Sequence, residues 1–599
     1  TSVLPSYYNL RDLGLVTPVK DQGAGGNCWA FSSLAAIESA ILKSTNTSYD
    51  LSEENMKNLM SLYSAYGWTM DTNKGGYAKM GVGYLAGWLG PVNESDDAYN
   101  SKSLISPLLT SIIHVQNILF LTRDNFTDND AIKKAIMEYG ALSTSIYWSS
   151  SYLKGKNYYY NGDSGANHAV AIIGWDDNYD KSNFKNTPEG NGAWIIKNSW
   201  GTKGGDNGFY YVSYYDKFIA QPGKYNTAAY VLNNSIKYDK IYQYDVQGYT
   251  DFFLNTTNTV WYKNKFTATA DEYLAAVSTY SKDETTWDLS VYVNGALKST
   301  KSGKSSPGYF TYDLDHLIAL KKGDVFEVVF KTTVDGDVGV PISEYVSLNT
   351  ETYTENISFI SYDGKNWRDL YDLEWTYPDH TYASQVACIK AVTLSDKINT
   401  EVNLNVIYNR LKGVSTIVAS VHDEWGNIVR DGNVVFTVDG NQYRITVIAG
   451  KASLNYNLDE TSHVISAIFT GSDYHSSNKT IQFIKPDNVE AQFSIADIEF
   501  AHDLTAFILL QDDFGNIIAD EVNLKINDLT YKLTVSDDKY YEVPFKLDDG
   551  TYEAELSGNG FESKKINFTV YKSLANLGIV INTNYDAVSI DLTLSERYN

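Results

Sequence analysis

The apolar residues of this chain change period along its length, from helical spacing over about the first 140 residues to strand-like alternation beyond. Residues 28–43 (CWAFSSLAAIESAILK) place Phe31, Leu34, Ala35, Ile41 and Leu42 at helical spacing. Asp50-Leu51-Ser52-Glu53-Glu54 sets a capping Ser ahead of acidic residues, which predicts a helix start. Residues 128–139 predict another helix, stopped by Gly140. Strands follow over 141–148, 168–175, 193–197 and 209–215, so residues 1–220 read as an α+β domain. From about residue 221 short alternating segments end in Gly, Asn and Asp turns, as at 288–293 before Asn294-Gly295 and 358–362 before Asp363-Gly364. Residues 221–393 are therefore expected to form an all-β sandwich.

The last 200 or so residues repeat. Val421-His422-Asp423-Glu424-Trp425-Gly426-Asn427-Ile428-Val429 matches Leu510-Gln511-Asp512-Asp513-Phe514-Gly515-Asn516-Ile517-Ile518 at an offset of 89 residues. That period suits immunoglobulin-like β-sandwich modules, expected at 394–486 and 487–573. Residues 574–599 read as the opening strands of a further copy, as though the parent chain continued. The 599 residues thus divide into a multidomain chain, α+β then all-β throughout.

Two function classes drop out on charge and hydropathy. A formal charge of −25 repels phosphates, so no nucleic-acid partner is expected. No apolar run reaches the ~18 residues of a membrane helix. The two cysteines, Cys28 and Cys388, cannot staple a disulfide scaffold or build a multi-thiolate zinc site. Cys388, in the alternating run 384–392, is expected as a buried packing thiol.

Cys28 is different. Glycines precede it and it opens a helix, whose N-terminus favours the thiolate. A thiolate nucleophile needs a base, and the first 230 or so residues hold two histidines. His114 sits in a mostly apolar stretch and reads as structural, whereas His168 opens the strand His168-Ala169-Val170-Ala171-Ile172-Ile173. Asn198, in Lys197-Asn198-Ser199-Trp200-Gly201, is the candidate to orient the imidazole.

Five ordered blocks carry a resemblance: Leu4-Pro5 through Val16-Thr17-Pro18-Val19-Lys20-Asp21-Gln22-Gly23, then Cys28-Trp29-Ala30-Phe31, Leu51-Ser52-Glu53 with Gly75-Gly76, Asn167-His168-Ala169-Val170, and Lys197-Asn198-Ser199-Trp200-Gly201. Together they resemble the papain family of cysteine peptidases. The resemblance implies a papain-like fold with Cys28 as nucleophile, His168 as acid and base, Asn198 holding the imidazole tautomer and Gln22 as oxyanion donor. It implies that Trp200 shields the His–Asn bond, and that Gly75, Gly76 and Asn167 line the substrate path. The chain departs from the family in lacking its disulfides: Gly25 stands where a cysteine usually precedes the nucleophile by three. The segment Phe359-Ile360-Ser361-Tyr362-Asp363-Gly364-Lys365-Asn366-Trp367 is similar to lectin-like sandwiches that follow papain-type domains, which makes Trp287, Trp367 and Trp375 candidates to stack on sugars.

The combined expectation is a secreted or cell-surface cysteine peptidase acting on peptides or proteins, with glycans as a further partner of residues 221–393. It resembles adhesin-like surface proteins of gut bacteria or methanogenic archaea, attached through a C-terminal region beyond this chain. Two alternatives use the same residues: an adhesin whose peptidase domain serves self-processing, with Thr1 as the trimmed end, or cleavage of cell-wall cross-bridges or isopeptides. No cofactor or metal is expected to be required. The oxygen-rich stretch Asp176, Asp177, Asn178 and Asp180 reads either as a calcium loop or as a solvated loop, and the pairs Asp423-Glu424 and Asp512-Asp513 either as calcium ligands or as turn chemistry.

Overall fold

The computed structural model describes residues 3–232, 237–344, 353–377, 380–382, 384–411, 413–499, 503–544, 548–572, 575–584 and 587–596; for 375–382 and 575–596 only the backbone is described. The chain forms two compact units, residues 1–396 and 397–599.

The first unit opens with the expected helices. Helix α1 spans Cys28–Thr45 and is buried along most of its length. Helix α2, Glu53–Leu59, starts where predicted, with the Ser52 hydroxyl accepting from the Asn55 amide at 3.0 Å. Helix α3, Ala78–Ala86, was not anticipated, because Gly81 and Gly83 weaken its helical pattern. Packing requires those glycines. A Cβ on Gly81 would lie 2.5 Å from Ser33 Oγ, and one on Gly83 would lie 2.1 Å from the Gln247 carbonyl oxygen. Helix α3 is thereby clasped between α1 and residues beyond 240. Helix α4, Asp130–Tyr139, stops at Gly140, whose φ of 94° suits a residue without a Cβ.

Behind the helices runs one sheet that crosses the expected boundary. Leu142–Ile146, His168–Asp176, Ala193–Lys197 and Phe209–Ser213 lie side by side. Thr227–Val231 pairs with Leu142–Ile146, so these residues pack with the first domain although they lie past residue 220. Asn117–Leu121 pairs with Thr227–Val231 on one edge and with Gly308–Leu320 on the other, through Leu119–Gly308 and Ile118–Tyr309. The sheet thus continues into the sandwich without a break. The cores merge as well: Leu34, Ile37 and Ile41 of α1 share an apolar cluster with Tyr249, Tyr280, Tyr309 and Cys388. Cys388 is fully buried there, as expected.

The sandwich packs that sheet against a second, ordered 296–305, 285–293, 325–333, 259–267, 358–361, 368–369. Inward residues such as Val260, Leu289, Val328 and Ile360 meet Leu274, Val277 and Ile389. The predicted turn at Asn294-Gly295 forms, with both residues at positive φ.

The second unit is all-β. Thr400–Asn409 pairs antiparallel with Ser415–Asp423, and Glu490–Ile495 pairs antiparallel with Leu504–Gln511. The repeated motif folds the same way twice. Asp423 Oδ1 accepts from the Trp425 and Asn427 amides, and Asp512 Oδ1 from the Phe514 and Asn516 amides. Those carboxylates work as turn caps. Residues Ala575–Asn584 and Ala587–Glu596 form an antiparallel hairpin.

Candidate active site

Cys28 is the first residue of α1, half-buried and unpaired as a thiol. Burial pushes its pKa up, while the backbone amides of Ala169, Trp29 and Cys28 itself pull it down. The Ala169 contact places the thiol beside the strand that begins at His168. His168 is buried, and its Nε2 meets Asn198 Oδ1 at 2.8 Å. Asn198 Oδ1 also accepts from the Ser199 amide, which orients the carboxamide with its oxygen toward the imidazole. Nε2 is then the donor, and Nδ1 is left as the basic nitrogen. Burial pushes His168 down to about 4, against a smaller upward pull from Asn198.

Trp200 stacks on the His168 ring at 4.5 Å between centroids and 20° between planes. A second tryptophan, Trp148, stands edge-on to both, 6.2 Å from His168 and 5.2 Å from Trp200. Sequence reading treated Trp148 only as a strand end; the signal available was its place just past the strand that pairs with His168–Asp176. Asn167 holds it in place: the Trp148 amide donates to Asn167 Oδ1 at 2.7 Å, and Asn167 Nδ2 returns a bond to the Trp148 carbonyl at 3.0 Å. The Asn167 side chain is thus engaged with main chain beside the indole pair.

Gln22 is buried and held from both ends. Ser199 Oγ donates to its Oε1 at 2.7 Å, and its Nε2 donates to the Gly25 carbonyl at 3.0 Å. One N–H of Nε2 remains. The Gln22 amide donates to the Ser199 carbonyl and the Gly201 amide to the Lys20 carbonyl, so residues 20–22 and 199–201 run zipped together. Gln22 and Asn198 are brought to one place by that pairing.

Hydrogen bonds stand where the family's disulfide would. Asn27 Nδ2 donates to Asn73 Oδ1 and to the Tyr99 hydroxyl, and Tyr99 donates to the Gln22 carbonyl at 2.5 Å. A Cβ on Gly25 would lie 2.5 Å from Asn27 Nδ2, so a larger residue there would push the Asn27 carboxamide out of this network. The Gly26 amide bonds the Asn73 carbonyl and carries Gly75 and Gly76 alongside. Gly75, at a φ of 111°, has open space where a side chain would stand, and a Cβ on Gly76 would strike the Trp29 indole. Beneath lies an ionic cluster that sequence reading also missed: Lys20 Nζ meets Glu38, Asp50 and Glu53 within 3.0 Å, with both glutamates buried.

His114 lies elsewhere, stacked flat on Trp88 at 3.5 Å. In the stretch after His168–Asp176, Asp176 and Asp180 cap local amides, and Asp177 meets Lys133 and Tyr214. Among the described residues no group of three or more His, Cys, Asp or Glu side chains is placed to hold a metal. In the sandwich, Trp287 is buried and bonds Ser305, whereas Trp367 lines an open cavity of about 340 Å3 with Trp261, Tyr292, Asp288 and Glu327. The side chain of Trp375 lies outside the described residues.

Comparison with known proteins agrees with this geometry. Residues 4–232 match the family model "Papain family cysteine protease" and residues 241–393 match "Lectin like domain". Cysteine proteinase 15A of Pisum sativum is 32% identical over 218 residues, 35% of this chain and 58% of the relative. Cathepsin K of Gallus gallus is 31% identical over 221 residues, 35% of this chain and 59% of the relative. The chain therefore spans just over half the length of these relatives. Among solved structures, the cysteine protease and lectin-like domains of Cwp84, a surface layer associated protein of Clostridium difficile, align at 27% identity with a TM-score of 0.56, covering 66% of this chain and 90% of that one. A variant of the clostridial cysteine protease Cwp84, solved after propeptide cleavage, aligns at 26% identity and a TM-score of 0.56, covering 65% of this chain and all of that one. This chain carries a papain-family cysteine protease domain at residues 4–232 followed by a lectin-like domain at 241–393.

Proposed function

We propose that the chain is a cell-surface cysteine peptidase that hydrolyses peptide bonds through an acyl-enzyme on Cys28. The observation that carries this reading is the His168–Asn198 bond under Trp200, beside a thiol at a helix N-terminus. In this mechanism His168 Nδ1 takes the thiol proton as Sγ bonds to the scissile carbonyl carbon. The oxyanion forms against the remaining Nε2–H of Gln22 and the Cys28 amide, which has no partner within the helix. Collapse breaks the C–N bond, and His168 returns the proton to the leaving amine. Water, deprotonated by the same nitrogen, then cleaves the thioester and restores the thiol. The test is a peptide library under reducing conditions, read by mass spectrometry, with Cys28→Ala as control. Cys28-dependent products are expected; their absence overturns the reading and favours an adhesin.

Glycan binding by the lectin-like domain is a second reading, favoured by the cavity between Trp261 and Trp367. Rings flanked by Asp288 and Glu327 suit a sugar's apolar face and hydroxyls. Loss of glycan-array signal in Trp261→Ala and Trp367→Ala is the expected result, and a wild-type array without signal rejects it. Immunoglobulin-like modules at 394–486 and 487–573 would then act as a stalk. Surface display is supported by the similarity to Cwp84, and no described helix is long and apolar enough to cross a membrane.

A further inference from the structure

The two groups assigned to the oxyanion stand at opposite ends of a short loop, the Gln22 carboxamide at one end and the Cys28 amide at the other. Gly23, Gly25 and Gly26 make up most of the stretch between them. Glycines free a backbone rather than fix it, so local propensity does not set the spacing of the two donors.

Tyr99 bridges the loop from outside. Its hydroxyl donates to the Gln22 carbonyl at 2.5 Å and accepts from Asn27 Nδ2 at 3.0 Å. Asn27 directly precedes Cys28. One oxygen atom therefore ties together the two ends of the loop, spending its single proton on one and a lone pair on the other. Asn27 is buried, and its second N–H goes to Asn73 Oδ1 at 2.9 Å. The Asn27 carbonyl accepts the Ala30 and Phe31 amides at 3.0 and 3.2 Å, so the first turn of α1 follows wherever Asn27 is held.

The tyrosine is itself a fixed post. Its amide donates to Glu94 Oε1 at 2.8 Å, and the next amide, that of Asn100, donates to Glu54 Oε2 of α2 at 2.8 Å. Its ring stands edge-on to Phe31 of α1, with centroids 4.9 Å apart and planes at 86°. The loop packs directly on the hydroxyl, since a Cβ on Gly25 would lie 3.2 Å from it. Ser199 holds the Gln22 side chain, whereas Tyr99 holds the Gln22 main chain.

We propose that Tyr99 is a positioning residue of the peptidase, whose hydroxyl sets the separation of the Gln22 and Cys28 donors so that both reach one oxyanion. It acts through Gln22 and Asn27. The proposal rests on the peptidase reading above and adds the residue that shapes its oxyanion site.

The test uses the full chain and a peptide that the parent cleaves. Tyr99→Phe keeps the ring against Phe31 and removes both hydroxyl bonds. We expect kcat to fall about tenfold with KM changed less than about twofold, because a misplaced donor costs the transition state and not the bound substrate. The acid limb of the pH profile, set by His168, should stay in place. In the Gln22→Ala background the same substitution should cost about twofold or less, since the donor it positions is already gone. Alkylation of Cys28 by iodoacetamide, read on its peptide by mass spectrometry, develops no oxyanion and should keep its rate. Asn27→Ala removes the other half of the bridge and should show the same split of kcat from KM, so the outcome does not hang on one variant; thermal melts confirm that each folds. An unchanged kcat, equal losses in both backgrounds, or slowed alkylation overturns the role of Tyr99 while leaving the peptidase reading intact. A parent chain without Cys28-dependent cleavage overturns both.

Discussion

Trp200 lies flat over His168, with centroids 4.5 Å apart and planes 20° from parallel, while the residue stays 38% exposed to solvent. The indole therefore separates the His168–Asn198 hydrogen bond from water, and it is one source of the burial that depresses the imidazole pKa.

Activity requires the thiol and imidazole to share one proton, as a neutral or as a charged pair. Below about 4 His168 takes up a second proton; above the raised thiol pKa the last one is lost. The pH profile of kcat/KM is expected to fall below about 4 and, at the basic end, only beyond the ordinary thiol range. Trp200→Ala admits water and relieves desolvation, so the imidazole pKa rises and the acid limb moves to higher pH. An acid limb that stays put in the variant contradicts the shielding role.

In the proposed mechanism Gln22 donates to the developing oxyanion, and Gln22→Ala removes that donor. A loss of about 10²–10³ in kcat, or roughly 3 kcal/mol of barrier, is expected, with a smaller change in KM. Ser199→Ala, which breaks only the bond to Gln22 Oε1, should cost much less. Equal losses in both variants would mean that Gln22 acts only as a support.

Gly83→Ala places a methyl group 2.1 Å from the Gln247 carbonyl oxygen, a backbone atom that cannot swing aside. The lectin-like segment must retreat from α3, at about 1–3 kcal/mol. Limited proteolysis should then cut near residues 237–250 sooner than in the parent chain, and the melting temperature should fall.

Lys20→Met leaves Glu38 and Glu53 buried without their shared cation. Removing one partner of a buried ion network costs about 3–5 kcal/mol, and the exposed Asp50 contact adds little. Urea unfolding followed by tryptophan fluorescence should show the first transition at lower denaturant.

Much of the candidate site was legible in the chain because each member sits in a short local block. Cys28 opens a helix whose periodicity is visible, and His168 opens a strand with a continuous apolar run. Helix α3 was illegible because its two glycines oppose local propensity and are explained only by Ser33 and Gln247, which approach from elsewhere. Trp148 and the Asn27–Asn73–Tyr99 network were missed for a related reason: their partners are far away in sequence, and no spacing rule links them. Trp261 was overlooked beside Trp287 although both lie on alternating strands. One faces the cavity and the other the core, a difference set by register.

The sequence by itself determined the order of fold types, the repeat, and the identity of the candidate thiol, imidazole and carboxamide. These are local properties, encoded in periodicity and in turn and capping residues. Only the tertiary structure decided that the first two domains share a sheet and a core, that hydrogen bonds of Asn27, Asn73 and Tyr99 pack around Gly25, and that Lys20 gathers two buried glutamates beneath them. Those features depend on close packing between segments separated in sequence, where the energy lies in contacts that no single stretch of chain contains.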